Sequence, residues 1–142
     1  METADKTTIT VESVVNAPIA RVWELWGKPE HITQWAHASD DWHAPHAEND
    51  LRTNGLFKTT MAAKDGSFSF DFEGVYTNVI EHSLIEYAVA DGRKVNITFK
   101  SLGNTTQIIE TFEPEEMNSL EMQRGGWQAI LDNFKKYAEA NV

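Results

Sequence analysis

Two Asp-Gly pairs, each between runs of alternating apolar residues, constrain the fold of this 142-residue chain more than any other feature. Asp65-Gly66 separates predicted strands at 56–64 and 67–79, and Asp91-Gly92 separates predicted strands at 84–90 and 93–100. An Asp-Gly pair in this setting is a strong signal for a tight hairpin, because both residues of a type I′ turn need a positive φ. The sequence therefore predicts an antiparallel meander of strands.

The segments on either side of this meander predict a further strand at each end and three helices. We expect a first strand at 9–15, short helices at 19–26 and 29–35, a last strand at 105–113 and a long helix at 118–140. Residues 36–50 are polar and predict a loop with at most a brief strand. No linker or internal repeat interrupts the chain, so residues 1–142 are predicted to form one domain.

Alternation places large apolar side chains on one face of the predicted sheet and polar ones on the other. The residues assigned to the apolar face include Phe57, Thr59, Met61, Phe68, Phe70, Phe72, Tyr76, Ile85, Tyr87, Val95, Ile97, Phe99, Ile108, Glu110 and Phe112. A sheet with one apolar face has to be covered on that side. The C-terminal helix supplies the cover through an apolar stripe made of Leu120, Trp127, Ile130, Leu131, Phe134 and Tyr137.

Composition and charge exclude several classes of function. The chain has no cysteine, which rules out disulfides, thiolate zinc sites and cysteine nucleophiles. Its net charge of −10 argues against nucleic-acid binding, which needs a basic surface. No apolar run reaches the roughly 18 residues of a membrane span, and the polar N-terminus does not predict a signal peptide. We therefore expect a cytoplasmic protein that is a monomer or a weak homodimer.

The order of these elements, together with a series of short motifs, carries a resemblance to a known family. The motifs are Asn16-Ala17-Pro18, Pro29-Glu30-His31-Ile32, Asp41-Trp42-His43, Asn49-Asp50-Leu51-Arg52, Phe70-Asp71-Phe72-Glu73-Gly74, Glu110-Thr111-Phe112 and Gly126-Trp127-Gln128-Ala129. In their order and spacing the sequence resembles bacterial homologues of the activator of the 90-kDa heat-shock-protein ATPase. These belong to the START-like superfamily, which includes the birch-pollen allergen.

The resemblance implies an α+β helix-grip fold. In this fold a curved antiparallel sheet of six to seven strands surrounds a long C-terminal helix, and two short helices follow the first strand. Members of the superfamily bind lipids, sterols, flavonoids and polyketides in a cavity under that helix, and a few catalyse cyclisation. The eukaryotic chaperone activators carry an additional N-terminal domain that holds the chaperone. The resemblance covers no such domain, so a chaperone interaction is kept only as an alternative.

The aromatic face predicts a site for a small apolar or aromatic molecule, because a curved sheet and one helix rarely close completely on bulky rings. The predicted ligand-binding residues are Trp35, Trp42, Phe57, Phe70, Phe72, Tyr76, Tyr87, Phe99, Glu110, Gln123 and Trp127. The alternative is that the rings simply fill the core. The sequence contains no catalytic motif, phosphate loop or dinucleotide fingerprint, so we expect binding without catalysis and without a cofactor. A cyclase or hydrolase reaction in the cavity is the second interpretation.

Glu110 is the charged residue that alternation directs into the core. A buried carboxylate is costly unless it is paired or protonated. We therefore predict that Glu110 either orients a ligand hydroxyl or acts as a general base. The alternative is a structural hydrogen bond to Gln123 or Tyr87.

Three histidines lie in the predicted loop, near two aspartates. The spacings between His37, His43 and His46 are six and three residues, which matches no established ligand pattern. No metal site is therefore predicted. The loop is expected to lie at the mouth of the cavity, with Trp35 and Trp42 as gate residues.

Overall fold

Seven strands and three helices make up residues 7–142, the part of the chain that the computed structural model describes. The strands are β1 (Ile9–Val15), β2 (Trp42–Asn49), β3 (Leu56–Ala63), β4 (Ser69–Ile80), β5 (Leu84–Val89), β6 (Lys94–Ser101) and β7 (Thr106–Phe112). The helices are α1 (Ile19–Gly27), α2 (Pro29–Trp35) and α3 (Leu120–Ala140). The strand order is β1-β7-β6-β5-β4-β3-β2, with every neighbouring pair antiparallel.

The sheet curves around α3, and α1 and α2 follow β1, so the predicted α+β helix-grip fold is confirmed. A register shift in β4 between Tyr76 and Asn78 adds to the curvature, because a bulge bends and twists the strand that carries it. Gly74 precedes this bulge. A Cβ at that position would come within 2.2 Å of the Ala88 carbonyl oxygen on β5, so the strands approach closely only because the residue is glycine.

Residues 42–49 form strand β2, where the sequence predicted a loop with at most a brief strand. β2 pairs with β3, and a register shift lies between His43 and His46. The prediction was wrong because β2 is an edge strand whose side chains are mostly polar. Pro45 lies within the register shift, a place where a missing amide hydrogen is tolerated, and it hides the alternation that marks a strand.

The two Asp-Gly pairs form hairpin turns, but not turns of the predicted type. Gly66 and Gly92 have φ angles of 79° and 96°, whereas neither Asp65 nor Asp91 has a positive φ. In the β5–β6 hairpin the Gly92 amide donates to the carbonyl three residues earlier, the pattern of a type I turn followed by a left-handed glycine. The Asp91 carboxylate accepts a hydrogen bond from the Arg93 amide and so stabilises the turn.

Helix α3 covers the concave face and begins where Ser119 caps it. The Ser119 hydroxyl accepts a hydrogen bond of 3.0 Å from the Met122 amide. Leu131 and Phe134 are fully buried, as the apolar stripe predicts. Leu120 is 51% exposed, contrary to its assignment to the stripe. In the described residues no helix is both long enough and apolar enough to cross a membrane.

Replacing the cap residue, Ser119→Ala, is expected to lower the free energy of unfolding by about 1 kcal/mol. The change leaves one amide of the first turn without its acceptor. Urea denaturation at pH 7 measures the loss, and Ser119→Asp is the matched control because aspartate caps equally well. Equal stability of the Ala and Asp variants would contradict the capping role.

One half of the aromatic core is filled by closely packed rings where α1 and α2 meet α3. This α1–α2 ring cluster consists of Trp23, Trp26, Trp35, Phe99 and Phe134. The rings of Trp26 and Trp35 lie 4.8 and 4.9 Å from the ring of Phe134. Phe99 lies 5.2 Å from Trp23 and 5.5 Å from Trp26. In this half the rings pack against one another, and Trp26 and Trp35 also border the open space beside the cluster.

Candidate functional site

The other half of the aromatic core borders a cavity of about 440 Å³ between the sheet and α3. The ring of Phe57 on β3 lies 5.1 Å from that of Tyr76 and 4.8 Å from that of Tyr87. Phe72 on β4 contacts Trp127 on α3, with ring centroids 6.1 Å apart. A mostly apolar space of about 300–1,000 Å³ is typical of small-molecule sites. The cavity is thus of a size and character that suit a small apolar ligand.

Most of the residues predicted to bind a ligand lie on the cavity wall. These are Trp35, Phe57, Phe70, Phe72, Tyr76, Tyr87, Glu110, Gln123 and Trp127. Trp42 and Phe99 lie outside the wall, contrary to the prediction. Phe99 points inward but belongs to the α1–α2 ring cluster, and the Trp42 ring packs 6.1 and 6.2 Å from those of Phe68 and Phe70. The alternation of apolar and polar residues predicts which face of the sheet a side chain lies on. It does not predict which part of that face another element covers.

The cavity opens beside the first turn of α3, where the Gln123 side chain forms hydrogen bonds with the backbone of residues 115–118. Phe70 and Met122 line the cavity and yet are 43% and 64% exposed, which places them at the mouth. The Gln123 side-chain amide donates to the carbonyls of Glu115 and Asn118 at 3.0 and 2.9 Å. Its oxygen accepts from the Glu115 amide at 2.9 Å. Both amide hydrogens therefore hold this segment against α3.

Glu110 on β7 lines the cavity and is 6% exposed. Its neighbours across the sheet, Val11 on β1 and Ile97 on β6, are buried and apolar. No group in residues 7–142 forms a hydrogen bond or ion pair with its carboxyl, so the predicted structural bond to Gln123 or Tyr87 is absent. Burial raises the pKa of Glu110 from 4.5 to about 8. The group therefore carries its proton at neutral pH.

Two tyrosine hydroxyls also belong to the wall, and their surroundings differ. The Tyr76 hydroxyl donates a hydrogen bond to the side-chain oxygen of Asn49, and burial raises its pKa. The Tyr87 hydroxyl has no hydrogen-bond partner in the described part of the chain. Its pKa is raised well above the ordinary value by burial first, and then by the charge of Glu110. Within residues 7–142 the wall thus presents several groups without a hydrogen-bond partner, among them the Glu110 carboxyl, the Tyr87 hydroxyl and the Thr59 hydroxyl on β3.

Comparison with known proteins identifies the relationship that the motifs indicate. A family model described as activator of Hsp90 ATPase homolog 1-like protein matches residues 16–139. The chain belongs to this family. The resemblance inferred from the sequence is therefore confirmed. No curated protein matches the sequence.

Solved structures of bacterial proteins extend this comparison. The AHSA1-like protein from Aeromonas hydrophila is 41% identical, with 95% of this chain and 94% of that one covered and a TM-score of 0.89. Chr148 from Cytophaga hutchinsonii is 57% identical, with 94% and 93% covered and a TM-score of 0.81. CV1439 from Chromobacterium violaceum is 21% identical, with 94% and 98% covered and a TM-score of 0.83, and shows a shared fold alone.

The sequence did not predict several of the residues that line the cavity wall in this family member. They include Trp26, Ile32, Asn49, Ile85, Arg93, Met122, Gly126 and Ile130. Gly126 is the most informative, because a Cβ built on it would meet no atom within 4 Å. The helix backbone itself therefore borders the open space. A Gly125-Gly126 pair inside an otherwise helix-forming segment was the available signal, since glycine there costs about 1 kcal/mol relative to alanine.

The segment that contains His37, His43 and His46 includes the edge strand β2 and also contacts α3. His46 on β2 pairs with the Glu48 carboxylate at 2.8 Å. His37 lies 3.1 Å from the side-chain nitrogen of Asn133 on α3. Within residues 7–142 no three His, Cys, Asp or Glu side chains are placed to hold a metal ion together.

Proposed function

We propose that this protein binds a small apolar or aromatic molecule in the cavity under α3, without transforming it. The observation that carries the proposal is the space of about 440 Å³, which rings from both the sheet and α3 line. Protein interiors are normally close-packed, and unfilled apolar space forfeits contacts. A bound apolar molecule would recover those contacts. Membership of the family supports the proposal, because proteins of this fold commonly bind hydrophobic ligands.

Gly126→Leu is expected to weaken this binding by about tenfold or more. The added side chain enters the open space, because nothing lies within 4 Å of a Cβ at this position. Leucine is also about 0.8 kcal/mol or more better than glycine inside a helix, so the variant keeps its stability. Fluorescence titration with phenylnaphthylamine, a neutral aromatic probe that is bright in apolar sites, measures the affinity of each protein.

Gly125→Leu is the matched control. Gly125 is exposed on the same helix and does not line the cavity, and a Cβ there also meets no atom within 4 Å. The same gain in helix propensity therefore comes without any obstruction. The proposal is wrong if the wild type binds no probe, or if the two variants bind it equally well.

Glu110 favours a second candidate function, a general acid–base reaction of cyclase or hydrolase type in the same cavity. Its pKa of about 8 suits a group that exchanges a proton near neutral pH. Glu110→Gln separates the two functions. Loss of ligand turnover at unchanged affinity indicates an enzyme, whereas a ligand recovered intact from both proteins indicates binding alone.

A further inference from the structure

Three buried residues on the cavity wall, Thr59, Tyr87 and Glu110, have hydrogen-bonding capacity that residues 7–142 do not use. Glu110 is 6% exposed and Tyr87 is 8% exposed, and these two lie on strands β7 and β5. In residues 7–142 the fully buried side-chain atom without a partner is His37 Nδ1, so the polar ends of Glu110 and Tyr87 are not sealed in the core. They are open to the cavity and available to a polar atom of a ligand.

Strand register places the two groups on the same concave face. Tyr87 on β5 is opposite Val95 on β6, and Val95 is opposite Phe112 on β7. Glu110 precedes Phe112 by two residues, so its side chain emerges on the same side of the sheet. Both residues also line the same cavity. The two polar ends therefore face one space that a single ligand can occupy.

Both groups are hydrogen-bond donors at neutral pH. Burial holds the proton on the Glu110 carboxyl, and the Tyr87 hydroxyl keeps its own proton because its pKa is raised by burial and then by Glu110. Two donors in apolar surroundings match an oxygen atom with two lone pairs and no hydrogen of its own. A carbonyl oxygen has this property, whereas an amine does not.

We propose that the ligand carries a carbonyl oxygen at its inner end, which accepts one hydrogen bond from the Glu110 carboxyl and one from the Tyr87 hydroxyl. This inference rests on the proposed binding function and adds the chemical class of the ligand, an aromatic or alicyclic ketone, quinone or amide. The outer part of the ligand packs against Phe57, Phe72 and Trp127 on the cavity wall. The carbonyl sets its orientation.

The competing class is a ligand with an ammonium group, which an ionised Glu110 among aromatic rings would attract. One observation favours the carbonyl. An ammonium would have to ionise a carboxyl between the apolar neighbours Val11 and Ile97, and the desolvation of a buried ion pair offsets most of its attraction. Arg93 also lines the cavity, but its guanidinium is paired with the Asp91 carboxylate at 2.8 Å, so its charge does not decide between the two classes.

Three naphthalene derivatives of similar size test the proposal: the methyl ketone acetylnaphthalene, the hydrocarbon ethylnaphthalene and the amine aminoethylnaphthalene. Displacement of phenylnaphthylamine measures the affinity of each compound at pH 6.5. We expect the ketone to bind the wild type about tenfold or more tightly than the hydrocarbon, and the amine to bind most weakly. Glu110→Leu and Tyr87→Phe are each expected to reduce the affinity for the ketone by a larger factor than the affinity for the hydrocarbon.

The pH dependence adds a second readout. The other titratable groups on the wall are Tyr76 on β4, Tyr87 on β5, Arg93 after β5 and Glu115 before α3, and α3 contributes only uncharged side chains to it. Ketone affinity of the wild type is expected to fall towards that of the hydrocarbon above the pKa of Glu110, about 8, as the donor is lost. Glu110→Gln keeps an amide donor and is expected to remove this fall.

The outcomes separate the two proposals. The carbonyl inference is overturned if the amine binds more tightly than the ketone, or if ketone and hydrocarbon bind equally while Gly126→Leu still blocks both. In that case the binding function stands. Failure of all three compounds and of phenylnaphthylamine to bind overturns the binding function and the carbonyl inference together. Melting temperatures of the variants without ligand confirm that each one is folded.

Discussion

Glu110→Gln is expected to raise the free energy of unfolding at pH 7 by about 3 kcal/mol, although it removes a charged residue type from the middle of β7. In the folded protein burial raises the pKa of Glu110 from 4.5 to about 8. A carboxyl with a raised pKa favours the folded state fully below pH 4.5, where it is protonated in both states. As the pH rises from 4.5 towards 8, ionisation of this carboxyl lowers the free energy of the unfolded chain but not that of the folded protein.

The measurement is urea unfolding of both proteins at intervals between pH 4.5 and 8.5. The difference between their free energies of unfolding is expected to grow by about 1.4 kcal/mol per pH unit across this window and then to level off. Carboxyls near the surface whose pKa values are lowered by hydrogen bonds act only at lower pH and cancel in the difference. They are Glu24, Glu48, Asp65, Asp91 and Glu139.

A difference that does not change with pH would show that Glu110 is ionised in the folded protein or paired with a cation. Binding of a carbonyl ligand should extend the fall in wild-type stability to higher pH at the same slope, because the ligand binds the protonated form and raises the pKa of Glu110 further. The same ligand should leave the Glu110→Gln profile parallel to its ligand-free curve. Protonation of the Glu110 carboxyl thus determines both the pH dependence of stability and the class of ligand that binds.

The inward position of Glu110 was predictable because a strand has only two faces. Once Ile108 and Phe112 are assigned to the core, the residue between them in the alternation follows. The absence of a partner was not predictable in the same way. Whether Gln123 reaches Glu110 depends on the segment before α3, and its backbone takes the Gln123 amide instead. Local pattern determines the face, whereas pairing depends on contacts between distant segments.

The same distinction explains the errors in the predicted site. Phe99 and Tyr87 are both inward-facing aromatic residues on neighbouring strands, and the sequence gives no reason to separate them. In the structure α1 packs its tryptophans on Phe99 and leaves Tyr87 beside open space. The placement of α1 and α2 depends on tertiary packing, which alternation does not encode. Edge strand β2 was missed for a related reason, because it has only one strand neighbour.

The division of the aromatic core into a filled half and an open half has an energetic consequence. Phe134→Ala is expected to lower the free energy of unfolding by about 3–5 kcal/mol and the melting temperature by about 10–15 °C. Phe134 is fully buried, and its ring contacts those of Trp26 and Trp35 at 4.8 and 4.9 Å. Truncation leaves a new cavity among rigid rings that cannot move in to fill it.

Phe72→Ala makes the same chemical change in the open half, and we expect it to cost only about 1–2 kcal/mol. The Phe72 ring is half-buried and contacts Trp127 at 6.1 Å, but it also borders the cavity, so truncation enlarges an existing space. Probe binding is expected to show the opposite order, with phenylnaphthylamine affinity reduced in Phe72→Ala and nearly unchanged in Phe134→Ala below its melting temperature. Calorimetry and fluorescence titration measure the two effects. Equal losses of stability in the two variants would mean that the rings around the cavity pack as closely as those of the α1–α2 ring cluster. No aromatic surface would then be open to a ligand.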